Sequence, residues 1–228
     1  MALRGWARTG ILVAMGVMAA LSQHGAAAAD ATLMAIASPP SEPLFGDQVA
    51  PTVGAALMCT QSPRDPFCRG IKQYRPLALD ARTFQLIRTV NKAVNSEIEP
   101  VDDIVQWHVA EKWNRPARGA DGRLQDDCDG YVIEKWYRLV VEAGLSPDGF
   151  YPLYAEIPGL GGHLVLAVMT TNGTYILDNL HEDLVPMTSF SFTYLKRPRP
   201  GNRLDSVWER YLAWGSGSGA PEIAAARN

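Results

Sequence analysis

Three residues of this chain have the types and the order of a thiol-based reaction centre. Cys128 lies in the run Asp126-Asp127-Cys128-Asp129-Gly130-Tyr131, where an amphipathic helix is expected to begin. His163 follows Gly162 at the head of the apolar run Leu164-Val165-Leu166-Ala167-Val168. Asp178 ends the segment Thr174–Leu177 and precedes Asn179-Leu180. A thiol is a strong nucleophile only as the thiolate. The unpaired N–H groups and dipole at a helix start favour that anion. An imidazole beside it takes up the proton, and a carboxylate on the far side of the ring fixes the tautomer. On this pattern Cys128 is the candidate nucleophile, His163 the candidate base and Asp178 the candidate orienting acid.

Each residue alone has a structural explanation. A lone Cys at a helix start also serves as a small buried hydrophobe. A strand-end His is often simply satisfied by neighbours, and an Asp before Asn suits a turn. Of the other histidines, His24 lies in an N-terminal apolar region and His108 has no apolar strand behind it. His181 is close enough to Asp178 in sequence to serve as an alternative base.

The acids flanking Cys128 have two readings. Asp127 at the helix start caps it, with Asp129 in the favourable first turn. Alternatively, Asp127 and Asp129 contribute oxygen ligands to a bound cation, which would offset their repulsion of a thiolate. Two side chains cannot complete a calcium site, so the loop from Ala120 to Gln125, Asp126 and water are expected to supply the rest.

The chain has three cysteines. Cys59 and Cys68 are close in a Pro-rich stretch and are expected to form a disulfide, with two free thiols as the alternative. That leaves Cys128 unpaired. A disulfide fits an exported protein, and the N-terminus reads the same way. Arg4 and Arg8 precede an apolar run from Ile11 to Leu21, followed by Ala26 to Ala29. This is the pattern of a secretory signal peptide over residues 1–29, with an uncleaved anchor as the alternative. The apolar run is shorter than the ~20 residues a membrane span needs. Cleavage removes two arginines and no acids, so the formal charge of −3 becomes −5. That balance argues against nucleic acid as a partner. No later segment is apolar enough to enter a membrane, and the remaining length of about 200 residues suits one domain.

The elements that must position these residues follow from periodicity. Residues 30–80 are rich in Pro, Ala, Ser and Gly and read as an extended N-terminal arm tied by the disulfide. Phe84, Ile87, Val90, Val94 and Ile98 recur at helical spacing, so a helix is expected over 81–98, ended by Pro100. A second runs from about Asp127 to Ala143, with Gly144 as its C-cap. Residues 151–157, 163–170 and 174–180 read as strands, and Asn172-Gly173 signals a hairpin. An edge strand is expected over 190–197, a short helix over 207–214, and a disordered tail over 215–228. Helices first and strands after indicate an α+β domain. A two-residue Asn172-Gly173 turn would pair Ala167 with Asp178. His163 would then share the face of Asp178 but lie ~13 Å away along the strand, so a bulge, a shifted register or coiling has to close the gap.

Asp127-Cys128-Asp129 with Lys135 and Leu139 behind it, Gly162-His163 and Leu177-Asp178-Asn179-Leu180 together resemble the bacterial transglutaminase-like cysteine proteinases. That family includes the LapG-type periplasmic proteases, which cut adhesins from the cell surface. The likeness spans roughly residues 81–214 and takes in Val90-Asn91, Val94-Asn95 and Trp113. The Cys59/Cys68 region resembles the N-terminal extension of some exported members. The resemblance implies a papain/transglutaminase-like core, with N-terminal helices packed on an antiparallel sheet. It also implies a thiol peptidase acting on a protein substrate through Cys128, His163 and Asp178, in the periplasm or secreted. Calcium is the cofactor it implies, held by Asp127 and Asp129. The family's usual run is Gly-Asp-Cys-Glu-Asp-Tyr. Here Asp126 replaces the glycine and Gly130 replaces an acid, so weaker calcium binding is expected. The same three residues also suit a transamidase, and the departures leave room for an inactive binding protein of the same fold.

Overall fold

A computed structural model describes residues 43–214. The expected signal peptide and the expected disordered tail lie outside the described residues. The architecture is mixed, with helices packed on an antiparallel seven-stranded sheet.

The first described segment carries more regular structure than its composition suggests. Pro43–Val49 forms β1 and Val53–Gln61 forms α1. Thr52 caps α1 through its hydroxyl, which accepts from the Ala55 N–H. Cys59 and Cys68 are bonded, with Cα atoms 5.4 Å apart, and the bridge joins α1 to a short 3₁₀ turn over Pro66–Arg69. Both cysteines are buried in the main core with Phe67 and Trp136.

Helix α2 spans Ala81–Glu97, as its apolar spacing predicts, and Asp80 caps it. A small sheet follows, in which β2 (Ile98–Pro100) and β3 (Ala117–Arg118) flank β4 (Leu124–Asp126). Between β2 and β3 lies the short helix α3, Asp103–Gln106. Helix α4 begins at Cys128 and runs to Trp136. It continues through Glu142 with the wider hydrogen bonding of a π-helix, and Gly144 then adopts a positive φ of 73°. Only glycine enters that region freely, which accounts for its place past the helix end.

The main sheet runs β1-β10-β9-β5-β6-β7-β8. Its strands are β5 (Phe150–Ile157), β6 (Gly161–Thr170), β7 (Gly173–Leu177), β8 (Val185–Pro186), β9 (Thr193–Pro198) and β10 (Trp208–Trp214). Strand β6 is buried on both faces. Leu164, Leu166 and Val168 pack with Val132, Ile133, Trp136 and Leu139 of the α4 region. Val165, Ala167 and Met169 turn to the other face with Tyr151, Leu153 and Tyr194.

Two expectations are corrected here. Residues 193–198 form an interior strand between β5 and β10, not an edge strand. Residues 208–214 form a strand instead of a helix. Trp208 enters the helix-side core while Tyr211 packs on the opposite face, and pairing to both β1 and β9 fixes that alternation. Here the partners on either side outweigh local preference.

Candidate active site

The β6–β7 register decides whether His163 meets Asp178. The turn residues are Thr171 and Asn172, not Asn172 and Gly173, because Thr170 pairs with Gly173. Gly173 opens β7 with φ 107°, and Thr170 Oγ1 donates to the Gly173 carbonyl at 2.7 Å. Leu166 therefore pairs with Leu177. The register has moved by two residues from the expected one. Side chains alternate with period two, so the face is kept while the gap closes by two residues, ~7 Å. His163 Nε2 lies 2.7 Å from Asp178 Oδ1. With Nε2 committed to the carboxylate, Nδ1 is the ring nitrogen left for another partner.

Asp178 is buried with its side chain out of solvent. Its second oxygen is also engaged, by His181 Nδ1 at 2.7 Å. Burial pushes the carboxyl pKa up, but the hydrogen bonds from His163 and His181 outweigh it, and the group sits below the usual carboxylate range. Helix α2 holds the loop after β7. Asn91 Nδ2 donates to the carbonyls of His181 (3.0 Å) and Glu182 (2.8 Å). Asn95 Nδ2 donates to those of Asp178 (2.9 Å) and His181 (3.0 Å). The sequence shows both asparagines, but only the structure shows that they fasten this loop.

Cys128 is half-buried at the first position of α4 and is not disulfide-bonded. The backbone N–H of Leu164, the residue next to His163, and the N–H of Cys128 itself pull the thiol pKa down. These favour the anion. Burial opposes them most strongly, followed by Asp127 and then Glu111, and the thiol is pushed up to about 12. Gly162 packs closely against Tyr154 beside His163. A Cβ there would collide with the Tyr154 hydroxyl.

The N-terminus of α4 is acidic and crowded. Asp127 caps the helix, accepting from the Asp129 N–H at 3.2 Å. Asp103, from the start of α3, joins them, and one carboxylate oxygen from each of the three residues lies within 4.8 Å of the others. Sequence reasoning missed Asp103, because nothing in its non-periodic surroundings points to Asp127. Asp103 Oδ1 and Asp129 Oδ2 are buried with no hydrogen-bond partner. Burial first, then the neighbouring acids, raise Asp103 to about 6 and Asp129 well above the ordinary carboxylate value. Asp126 is raised to about 8, by burial and then Asp127. Its carboxylate accepts from Asn114 Nδ2 at 2.8 Å and from the Asp127 N–H at 3.0 Å. Unpaired carboxylate oxygens held this closely retain protons unless a cation replaces them. The donor set is all oxygen, as a hard divalent cation requires.

Behind Cys128 on the same helix, Lys135 is fully buried and its amine has no hydrogen-bond partner. Burial lowers its pKa to about 7, against the pull of Asp178.

A family model described as bacterial transglutaminase-like cysteine proteinase matches residues 46–210. Among solved structures, calcium-bound LapG from Legionella pneumophila is similar over 60% of this chain and 74% of that one. It shares 20% identity, at a TM-score of 0.45. EGTA-treated LapG from the same organism is similar over 50% of this chain and 62% of that one, at 22% identity and a TM-score of 0.42. These likenesses are too distant to transfer residue roles. None of the curated proteins compared with the chain matches it.

Proposed function

The chain belongs to the bacterial transglutaminase-like cysteine proteinases, and we propose that it is an exported peptidase whose reacting residues are Cys128, His163 and Asp178. The observation that carries this reading is the 2.7 Å contact between His163 Nε2 and buried Asp178. It fixes the tautomer with the proton on Nε2 and leaves the Nδ1 lone pair to accept the thiol proton. The influence of the Leu164 N–H on the Cys128 thiol supports the reading, because Leu164 follows His163 in β6.

In this reading His163 takes the Cys128 proton, and the thiolate attacks the carbonyl carbon of the scissile amide. The C–N bond breaks as the leaving amine takes that proton, and a thioester joins Cys128 to the acyl half of the substrate. Water, deprotonated by His163, then displaces the thiol. The Cys128 N–H is the candidate donor to the developing oxyanion. Asp178 stays ionised throughout and supports the imidazolium.

Asp103, Asp127 and Asp129 are the residues that would hold calcium. Bound there, it would offset the acids beside the thiol and fasten α3 to the start of α4. The Cys59–Cys68 disulfide supports export to an oxidising compartment. Among the described residues no helix is long and apolar enough to cross a membrane.

The test compares the masses of exported proteins in cells carrying the wild-type chain and cells carrying Cys128→Ala. At least one shorter product is expected to disappear with the alanine. Identical mass profiles would count against the proposal.

A further inference from the structure

We infer that His181 is a positioning residue for the Asp178–His163 pair, donating to the second carboxylate oxygen and so fixing the plane in which Asp178 meets His163. The inference rests on the reading of Cys128, His163 and Asp178 as the reacting set.

The geometry is a closed circuit. Asp178 accepts from two imidazoles, one on each oxygen, both at 2.7 Å. The His181 ring meets Phe190 edge-on, with centroids 5.0 Å apart and an interplanar angle of 86°. Phe190 stacks on Phe192 at 4.5 Å, and Phe192 meets His163 edge-on at 6.0 Å. One aromatic wall therefore packs both histidines, and the carboxylate lies between them. The His181 backbone is held independently, since its carbonyl accepts from Asn91 and Asn95. Ring and main chain of His181 are thus both placed before any substrate arrives.

Chemistry gives the arrangement its consequence. Asp178 also accepts from the Leu180 backbone N–H, but a buried carboxylate that loses one of its donors is freer to rotate about its last torsion or to take up a proton, and either change loosens its hold on His163. The His181 donor opposes both. Asp178 holds one nitrogen of each ring, so that contact alone does not separate the two histidines. The His181 side chain is 48% exposed, whereas that of His163 is buried and next in sequence to Leu164, whose N–H favours the Cys128 thiolate. The role of His181 runs through Asp178.

The test uses the intact purified protein, with iodoacetamide as the probe of Cys128 at one fixed pH. Two substitutions separate donor from ring. His181→Phe keeps a ring against Phe190 but has no N–H. His181→Asn loses the ring but carries an amide N–H near the position of Nδ1. Losing one charge-assisted hydrogen bond is worth roughly tenfold in the thiol reaction, so His181→Phe should slow alkylation by about that factor. His181→Asn should stay within about threefold of wild type on the same scale. Equal rates in wild type and His181→Phe would overturn the inference. So would equal slowing in both variants, which would assign the effect to the ring.

His163→Ala separates this inference from the reading beneath it. If His163→Ala leaves alkylation unchanged, the reacting set itself is wrong. If His163→Ala slows it and His181→Phe does not, only the role of His181 falls. A measurement on the wild-type protein covers the case in which His181→Phe does not fold. With histidine labelled in nitrogen-15, two imidazole N–H protons should be shifted downfield by the carboxylate, one per ring. A single such proton would overturn the inference.

Discussion

Asp126 occupies the space that a side chain at residue 130 would need. A Cβ placed on Gly130 would collide with Asp126 Cβ and Cγ, and Asp126 is buried and held by Asn114 and by the Asp127 N–H. Relative to the family's usual run, acid and glycine have exchanged places across Cys128. Asp126 fills the space beside Gly130, while the three acids that approach one another closely are Asp103, Asp127 and Asp129.

Gly130→Ala is expected to cost about 1–3 kcal/mol, the usual penalty for overpacking a filled site. In an Asp126→Gly background the same alanine should cost at least ~1 kcal/mol less, since residues in contact couple. Urea denaturation of the two single variants and the double variant measures this. Strict additivity would contradict the packing account.

Calcium is expected to raise the melting temperature, because a ligand that binds only the folded state stabilises it by mass action. The rise should shrink in Asp103→Asn, which alters a residue far from the nucleophile in sequence but close to Asp127 and Asp129 in space. Thermal melts with EGTA and with added calcium check both points. If neither protein responds, Asp127 and Asp129 act only at the helix start.

Lys135 gives a pH dependence with a definite sign. Its folded-state pKa of about 7 lies below that of an ordinary lysine, ~10.4. Between those values the unfolded chain binds a proton that the folded chain does not, so the buried amine becomes less destabilising as pH rises through that window. Lys135→Met removes the group. The Met variant's stability advantage should be on the order of a few kcal/mol near pH 6.5 and should shrink by about pH 9.5. Urea denaturation at both values tests this, and a constant difference would contradict it.

Reducing the Cys59–Cys68 bond frees only a short loop. The chain-entropy relation gives about 2–3 kcal/mol for a loop of this size. Cys59→Ala/Cys68→Ala should be destabilised by that amount or somewhat more, because both positions lie in the main core. Denaturation of the double variant measures it, and an unchanged stability would contradict it.

What the sequence revealed follows physical lines. The α2 periodicity and the start of α4 are local and were legible. Cys128, His163 and Asp178 were legible as types at element edges, but the pairing of the last two depended on a two-residue register shift. That shift came from Thr170 and Gly173 closing the turn, against the stronger local signal of Asn172-Gly173. Asp103 could not be tied to Asp127, because only the fold brings α3 to the start of α4. His181 was legible as a histidine near Asp178 and was weighed as a base. Its actual contact, with the second carboxylate oxygen, depends on how Asn91 and Asn95 fasten the loop from α2. Residues 208–214 were misread because β1 and β9, distant in sequence, set their conformation.

The most direct test of the central claim is the alkylation rate of Cys128 by iodoacetamide near pH 6, compared between the native and the unfolded protein. An ordinary thiol, with a pKa of ~8.5, is almost wholly protonated there. If Cys128 is the nucleophile paired with His163, the native protein should react at least about tenfold faster than the unfolded one, and His163→Ala should remove that advantage. A native rate at or below the unfolded rate, with calcium present, would contradict the account.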